Sequence, residues 1–274
     1  MNGKICLVTG ANTGIGYATA VGLAERGATV VMLCRDEEKG QTAVRNAQQA
    51  TGNPHVELLL CDLASMVSIR QAAADFRARH EALHVLINNA GVIPRQREVT
   101  VDGLEKQLAV NHLAYFLLTH LLLDVLKASA PARIINVSSQ VHSSGVVDFA
   151  DLQSERSYRP TPVYANTKLM NVLFTFELAR RLAGTAVTAN CLHPGVVDTN
   201  LGRDYSGLPR SVSRGGLSWA EGARTSLYLA ISPDVARVTG RYFRDEREAR
   251  PSATAQDETL ARRLWDVSAN LAAS

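Results

Sequence analysis

A chain of 274 residues, 46% hydrophobic and 20% charged, has the apolar mass for one large α/β domain and too much of it for extended disorder. Its net charge of +3 comes from scattered basic residues, which excludes an electrostatic footprint for nucleic acid. The four cysteines, Cys6, Cys34, Cys61 and Cys191, sit in or at the ends of apolar runs and read as buried thiols, with no metal pattern among them.

The first strand, Ile5 to Val8, runs into Thr9-Gly-Ala-Asn-Thr-Gly-Ile-Gly16 and then a helical pattern from Tyr17 to Arg26. Strand, glycine-rich turn and helix in that order form a phosphate-binding corner, where N–H groups at a helix N-terminus meet an anion. Gly10, Gly14 and Gly16 follow a Gly-x-x-x-Gly-x-Gly spacing, which is neither the Gly-x-Gly-x-x-Gly fingerprint nor a Walker A loop. This start at Lys4 leaves no room for a signal peptide or membrane anchor, and a cytoplasmic protein is expected.

A second strand, Thr29 to Cys34, ends in Arg35-Asp36. At this point of such a fold an acidic residue would bind the ribose 2′-hydroxyl and an arginine a 2′-phosphate, so Cys34-Arg35 points to NADP(H). A surface helix from Glu37 to Thr51 follows. The third strand, Val56 to Cys61, ends in Asp62-Leu63, where the carboxylate either reaches an adenine amino group or caps the helix from Ser65 to Arg79. The fourth strand, His84 to Ile87, leads into Asn88-Asn-Ala-Gly91. Small residues there admit a ligand close to the backbone, and paired asparagines can lock neighbouring strands.

The helical run from Gly103 to Ser129 contains Asn111, whose poor helix propensity predicts a kink or a water site. Its apolar part, Leu113 to Leu126, is broken by His120 and Asp124 and reads as too short to span a bilayer. The fifth strand, Arg133 to Val137, delivers Ser138 and Ser139 at its C-terminal end, the edge where open α/β sheets bind ligands. After a polar insertion from Gly145 to Tyr158 comes Tyr164-Ala-Asn-Thr-Lys168. On a helix this spacing puts phenol and ammonium on one face. A fixed cation favours the phenolate, and lowering a phenol pKa by roughly three units corresponds to about 4 kcal/mol.

The sixth strand, Val187 to Leu192, is followed by His193-Pro-Gly195 and an irregular stretch, Leu201 to Trp219, placed where a substrate lid is expected. A helix from Glu221 to Ile231, a short last strand Arg241 to Phe243 and a terminal helix from Thr259 to Leu271 complete the chain. Alternating strands and helices predict a mostly parallel sheet covered on both faces, in a single domain.

Thr9 to Gly16, Asn88-Asn-Ala-Gly91, Asn111, Ser139, Tyr164-x-x-x-Lys168 and Pro194-Gly195 occur together in the order and approximate spacing of the short-chain dehydrogenase/reductase family, which the chain resembles over essentially its whole length. The resemblance implies a seven-stranded doubly wound Rossmann sheet, with a cofactor half at about 1–135 and a catalytic and substrate half at about 136–274. It implies a tetrad of Asn111, Ser139, Tyr164 and Lys168. Ser139 would hydrogen-bond the substrate oxygen and Tyr164 exchange its proton, with Ser138 as understudy to Ser139. Lys168 would hold the nicotinamide ribose and acidify Tyr164, and Asn111 would position a water linking Lys168 to solvent. NADP(H) would be contacted by Gly10, Asn12, Thr13, Gly14, Ile15, Gly16, Arg35, Asp62, Leu63, Asn89, Ala90, Gly91, Asn111, Tyr164, Lys168, Pro194, Gly195, Val197 and Thr199, with no metal.

The long separation between Ser139 and Tyr164, Asp151-Leu-Gln153, Cys34-Arg35-Asp36, Glu177 to Leu182, Gly240 to Phe243 and Ala261 to Trp265 look like the retinol dehydrogenase-like branch. That branch often carries a membrane anchor and acts on retinoids or other lipophilic carbonyls. This chain departs from it in lacking the anchor and in a polar, glycine-rich lid from Gly202 to Gly216.

The expected activity is hydride transfer between NADP(H) and a carbonyl or alcohol. Its alternatives are a non-catalytic dinucleotide-binding or scaffold protein and an epimerase or dehydratase using the same Tyr and Lys. Val146, Val147, Phe149, Leu152 and Tyr158 of the insertion, with Leu201, Tyr205, Leu208, Val212, Leu217 and Trp219 of the lid, offer apolar surface for a medium-sized or bulky lipophilic aldehyde or ketone. Arg203, Arg210 and Arg214 on this glycine-rich polar loop read as solvated, with reception of an acidic group as the alternative. Family members commonly pair, here as a homodimer or homotetramer, through the helices that carry Asn111 and Tyr164. Leu117, Leu118, Leu121 and Leu122 suit either such an interface or ordinary core packing.

Overall fold

The computed structural model describes residues 1–198, 201 and 216–273. Thr199 and most of the expected lid, including Arg203, Tyr205, Leu208, Arg210, Val212 and Arg214, lie outside the described residues. The chain alternates β1 (Ile5–Thr9), α1 (Gly14–Ala24), β2 (Thr29–Cys34), α2 (Glu37–Thr51), β3 (Val56–Leu60), α3 (Met66–Arg79) and β4 (Val85–Asn88). It continues through α4 (Ala114–Ala128), β5 (Ala132–Val137), α5 (Pro160–Arg181), β6 (Val187–His193), α6 (Trp219–Ile231), β7 (Tyr242–Arg244), β8 (Arg247–Ala249) and α7 (Glu258–Ala273).

The strands form one sheet in the order β3-β2-β1-β4-β5-β6-β7-β8. The first seven are parallel, as expected, and β8 returns antiparallel to β7. The β7–β8 turn is Asp245-Glu246, with φ of 52° and 61°. Left-handed backbone at both central residues is what a two-residue hairpin needs, but asparagine and glycine usually mark it. An Asp-Glu pair gives no such signal, which is why the sequence reads as ending its sheet at β7.

Successive side chains of the central strands point to opposite faces, and both faces are apolar. Leu7, Leu86 and Ile134 pack under α3, α4 and α5, while Cys6, Val8, Ile87 and Ile135 pack under α1, α2 and α6. A polar ladder crosses the first of these layers. Asn88 Nδ2 donates to Thr119 Oγ1 (3.0 Å) and Asn136 Oδ1 (2.8 Å), and Asn136 Nδ2 donates to Thr175 Oγ1 (2.9 Å). Asn88 is thus the lock between β4 and β5, leaving Asn89 to Gly91 at the ligand edge.

Before α4, residues Leu108–Leu113 form a wide π-type turn, with the Ala114 N–H bonded to Ala109 O, five residues back. The expected kink at Asn111 falls here. The continuous run Leu108–Ala128 has a mean hydropathy of 1.4 and is long and apolar enough to cross a membrane, which corrects the reading that it is too short. Inside the fold it is a core helix, 72% of its apolar window being buried.

α7 lies against α4 and α5. Trp265 meets Phe116 (ring centroids 5.1 Å), Phe174 (5.9 Å) and His120 (4.9 Å), and the Arg181 guanidinium sits 4.2 Å above its ring. Leu117, Leu118 and Leu122 are buried in the same core. Those leucines serve packing, so they form no open pairing face. Truncating a buried tryptophan typically costs 3–5 kcal/mol. Trp265→Ala is expected to destabilise the chain by about 3 kcal/mol, read as a lower urea midpoint; an unchanged midpoint would show that α7 contributes nothing to this core.

Candidate active site

The strand order reverses between β1 and β4, and the crevice beyond their C-terminal ends is where open α/β sheets take dinucleotides. Gly10 and Gly14 turn the chain there with φ of 65° and 60°. Thr9 Oγ1 accepts from the N–H groups of Asn89 (2.8 Å) and Ala90 (3.0 Å), and Asn89 Nδ2 donates to Thr9 O (2.9 Å). At Gly16 a β-carbon would stand 2.4 Å from Gly10 O and 2.5 Å from Asn89 Nδ2, so only glycine closes this corner. No acidic residue occupies the first turn of α1, leaving its N-terminal field open to an anion.

Beside the corner, Asn12, Thr13, Tyr17 and Trp219 face Lys39 and Asn46 of α2 across an open cleft of about 520 Å³. Ile15 and Val197 are held by α6, which approaches so closely at Gly222 that a β-carbon would meet Val197 at 2.5 Å and Ile15 at 3.1 Å. Gly222 escapes a reading of the sequence because it sits mid-helix. Pro194 and Gly195, the latter at φ 88°, follow β6, and Val197 bridges to Leu217.

At the outer end of β2, Arg35 is exposed while Asp36 caps α2. The Asp36 carboxylate accepts from the Lys39 backbone N–H (3.0 Å) and ammonium (2.8 Å), and these bonds hold its pKa below the usual carboxylate value. Asp62 does not cap α3. Its Oδ1 closes a turn with the Ala64 N–H (3.0 Å), and Ser65 provides the cap. Leu63 has its side chain in the core.

The C-terminal end of β5 and the start of α5 are tied together repeatedly. Ser138 Oγ donates to Lys168 O (2.8 Å), and Lys168 Nζ donates to Val137 O (2.9 Å). Gly145 seats the intervening loop directly on α5, since a β-carbon there would stand 2.5 Å from Ala165 O. Ser138 is thereby consumed as a tie. Ser139, half-buried, caps a short 3-10 segment, Gln140–Ser144, through one long bond from the Val141 N–H (3.4 Å), and its own hydroxyl donates to none of the described residues. The Tyr164 hydroxyl likewise has no partner among the described residues, in contrast to Tyr115, whose hydroxyl donates to Ala90 O (2.8 Å).

The Asn111 side chain ties the segment after β4 to α5: Oδ1 accepts from the Val92 N–H (2.8 Å), and Nδ2 donates to Val92 O (3.0 Å) and Thr167 Oγ1 (3.2 Å), leaving one lone pair of Oδ1 without a partner among the described residues. At Gly91 a β-carbon would point between Asn111 Oδ1 (3.5 Å), Leu201 (3.9 Å) and Lys168 Nζ (3.9 Å). The bare backbone there leaves a cradle in front of the lysine. With the glycine corner, this fits a nicotinamide dinucleotide.

Lys168 is 2% exposed, and its Nζ lies 5.4 Å from the Tyr164 ring centroid and 5.6 Å from that of Tyr115. Burial lowers its pKa to about 7, and burial pushes the Tyr164 phenol above its ordinary value. In the protein alone, burial acts on the phenol in the direction opposite to the one a neighbouring ammonium would impose. Desolvation outweighs the cation, whose bond goes to the Val137 carbonyl.

The insertion also differs from expectation. Val147, Phe149 and Leu152 pack onto the core, with the Arg263 guanidinium 4.0 Å over the Phe149 ring. The Tyr158 hydroxyl donates to Pro94 O (2.9 Å) and accepts from Gln107 Nε2 (2.9 Å). Those residues are spent on packing and hydrogen bonds; Val146, 61% exposed, remains open.

The profile of the short chain dehydrogenase family matches residues 4–207. The chain belongs to the short-chain dehydrogenase/reductase family, oxidoreductases that use a nicotinamide dinucleotide. Within it the chain is retinol dehydrogenase-like: it is 48% identical to mouse retinol dehydrogenase 11 over 98% of this chain and 86% of that one. It is 47% identical to human retinol dehydrogenase 13, over 98% and 84% of the two chains. Among solved structures, an uncharacterized protein from Mycobacterium paratuberculosis superposes with a TM-score of 0.82 at 34% identity, over 100% of this chain and 94% of the other. The NADP active-site complex of Pseudomonas aeruginosa RhlG superposes with a TM-score of 0.73 at 26% identity, over 89% and 94%.

A lysine whose pKa falls from 10.5 unfolded to about 7 folded destabilises the native state. Below about pH 7 the cost is fully present, because the native chain must bury an ammonium; it fades as pH rises toward the unfolded value. Lys168→Met is accordingly expected to raise the stability of the protein without cofactor, by on the order of a few kcal/mol at about pH 6 and by much less at about pH 10. The lost bond to Val137 O reduces the gain at every pH. Urea titrations across pH check this, and a pH-independent difference would refute the burial argument.

Proposed function

We propose that this chain is an NADP(H)-dependent oxidoreductase that moves hydride between the nicotinamide and a carbonyl or alcohol, with medium-sized or bulky lipophilic aldehydes and ketones as substrates. The observation that carries the reading is the pair of hydroxyls, Ser139 and Tyr164, that donate to no acceptor among the described residues near a buried lysine, where Ser138 and Tyr115 both donate to carbonyl oxygens. A scaffold that had lost catalysis would have no need to keep those two hydroxyl protons free.

The dinucleotide, when bound, supplies or accepts the hydride. Ser139 donates a hydrogen bond to the substrate oxygen and orients the carbonyl. Tyr164 passes its proton to that oxygen as negative charge develops there. Lys168, once charged, stabilises the phenolate left behind. A phenol held protonated at neutral pH is ready for reduction. Oxidation needs the phenolate, and so needs the lysine charged first.

Support for the phosphorylated cofactor comes from the end of β2. Arg35 is exposed, and Asp36 is bound into the cap of α2 and is not a free acceptor for a ribose 2′-hydroxyl. With Cys34→Asp and Arg35→Ser combined, cofactor preference is expected to move toward NADH, since lost attraction is joined by repulsion of the phosphate. Equal use of NADPH and NADH by the unmodified protein would refute the assignment of Arg35.

Purified protein should oxidise NADPH with members of a panel of all-trans-retinal, nonanal, benzaldehyde and propanal, followed by loss of reduced-nicotinamide absorbance. The relatives named as retinol dehydrogenases put the retinoid on that panel. Each buried methylene adds about 0.8 kcal/mol, so the larger carbonyls should exceed propanal in kcat/KM by at least about tenfold. Tyr164→Phe should lower turnover by roughly a hundredfold to ten-thousandfold while NADPH still binds. A Phe variant with unmodified rates would eliminate Tyr164 as the acid.

A further inference from the structure

Ser139 follows the last backbone tie of β5 to β6, the Ser138 N–H donating to Leu192 O (2.8 Å). Its own carbonyl is held from three positions on, by the His142 backbone N–H (3.1 Å) and by the His142 side chain. His142 is 2% exposed, with Nδ1 2.7 Å from the Ser139 carbonyl oxygen and Nε2 3.2 Å from the Ser252 backbone nitrogen. Its ring lies against Tyr242 of β7, centroids 4.8 Å apart.

These two contacts determine the proton. A backbone N–H can only donate, so Nε2 must present its lone pair to Ser252. Nδ1 then carries the hydrogen and gives it to the Ser139 carbonyl. The imidazole is a two-ended clamp, one end on the turn that carries the Ser139 hydroxyl and the other on the segment leading to α7. Gln140 is steadied from the same side, by Arg244 of β7 at 3.4 Å.

We propose that His142, as the neutral Nδ1–H tautomer, is a positioning residue for the reaction: it holds the Ser139 turn by its backbone carbonyl and anchors that turn to the C-terminal segment at Ser252. The assignment rests on Ser139 being the group that binds the substrate oxygen. Of the ionisable side chains, His193 at the end of β6 and Tyr242 on β7 face the imidazole, and Arg244 of β7 and Asp245 of the hairpin turn act on His193 in turn. Burial lowers the pKa of both histidines, to about 4 for His193, which agrees with a neutral ring at His142. A packed aromatic ring could fill this space without nitrogens. Hydrogen bonds at both of them are what packing alone does not require.

The test compares three substitutions. Asparagine places an amide N–H near the Nδ1 position and keeps the bond to Ser139. Glutamine reaches the Nε2 position and loses that bond. Phenylalanine keeps the ring and loses both. With NADPH and the best carbonyl of the panel above, His142→Asn should retain kcat within about threefold, while His142→Gln and His142→Phe fall by about tenfold or more, the factor expected for one hydrogen bond. NADPH affinity, read by fluorescence titration, should be the same in all three. If His142→Phe keeps full kcat and His142→Asn loses most, the ring only packs and the proposal is overturned.

Ser139→Ala, measured alongside, separates the two readings. Full turnover by that variant would sink the assigned chemistry, whereas its loss together with full turnover by His142→Gln would sink the clamp alone. Nitrogen-15 NMR of histidine-labelled wild-type protein, with His142→Asn to assign the resonance, decides the tautomer even where a variant fails to fold. A proton on Nδ1 is expected; a proton on Nε2 would overturn the proposal.

Discussion

The buried ammonium of Lys168 is the constraint around which the site is built. A charged or chargeable group with 2% exposure is tolerated only where its surroundings meet its hydrogen-bonding needs. Here those needs are met by the Val137 carbonyl and by the faces of two tyrosine rings. Meeting them requires that the end of β5 lie against one particular turn of α5. The Ser138 bond to Lys168 O and the missing side chain at Gly145 enforce that contact from either side. Ser139 and Tyr164 are carried by the two segments that this contact brings together, the end of β5 and α5.

The same logic runs through the layer beneath. Asn88, Asn136, Thr119 and Thr175 exchange hydrogen bonds across a core that is otherwise hydrocarbon. A buried hydrogen-bonded network, here lacking a partner only at Asn88 Oδ1, specifies one register where leucines alone would permit several. It fixes β4 against β5 and both against α4 and α5, so the crevice and the hydroxyls share a single frame. Asn111 closes that frame from the front by bonding both backbone groups of Val92. The wide turn at Leu108–Leu113 gives the side chain its reach.

Features set by local chemistry were legible in the chain. β2 and α2 lie where an apolar run and a stretch of surface-helix composition place them, and the glycine corner announces itself by its place between a strand and a helix. Features set by contact between distant segments were not. Ser138 and Ser139 are equivalent in sequence and differ only because one faces α5. Phe149 and Leu152 look like pocket wall until α7 is seen to pack near them. His142 carries no motif at all, since its partner Ser252 is more than a hundred residues away. β8 was hidden by a turn whose residues do not advertise left-handed backbone. The spacing of the lysine and the phenol reveals that they meet, Nζ 5.4 Å from the ring centroid, and says nothing of how dry the meeting place is.

That last difference bears on how the site changes when it is loaded. With Lys168 near a pKa of about 7, its charge is balanced at neutral pH, and modest interactions decide it. A dinucleotide brings ribose hydroxyls that accept from an ammonium and phosphates that favour positive charge, and both act in the direction opposite to burial. Charging the lysine lowers the phenol in turn, because the two groups share one dry space beside Tyr115. In the protein alone, burial acts on both groups toward their neutral forms, raising the phenol and lowering the lysine, and the charge of a bound dinucleotide would act on the lysine in the opposite direction.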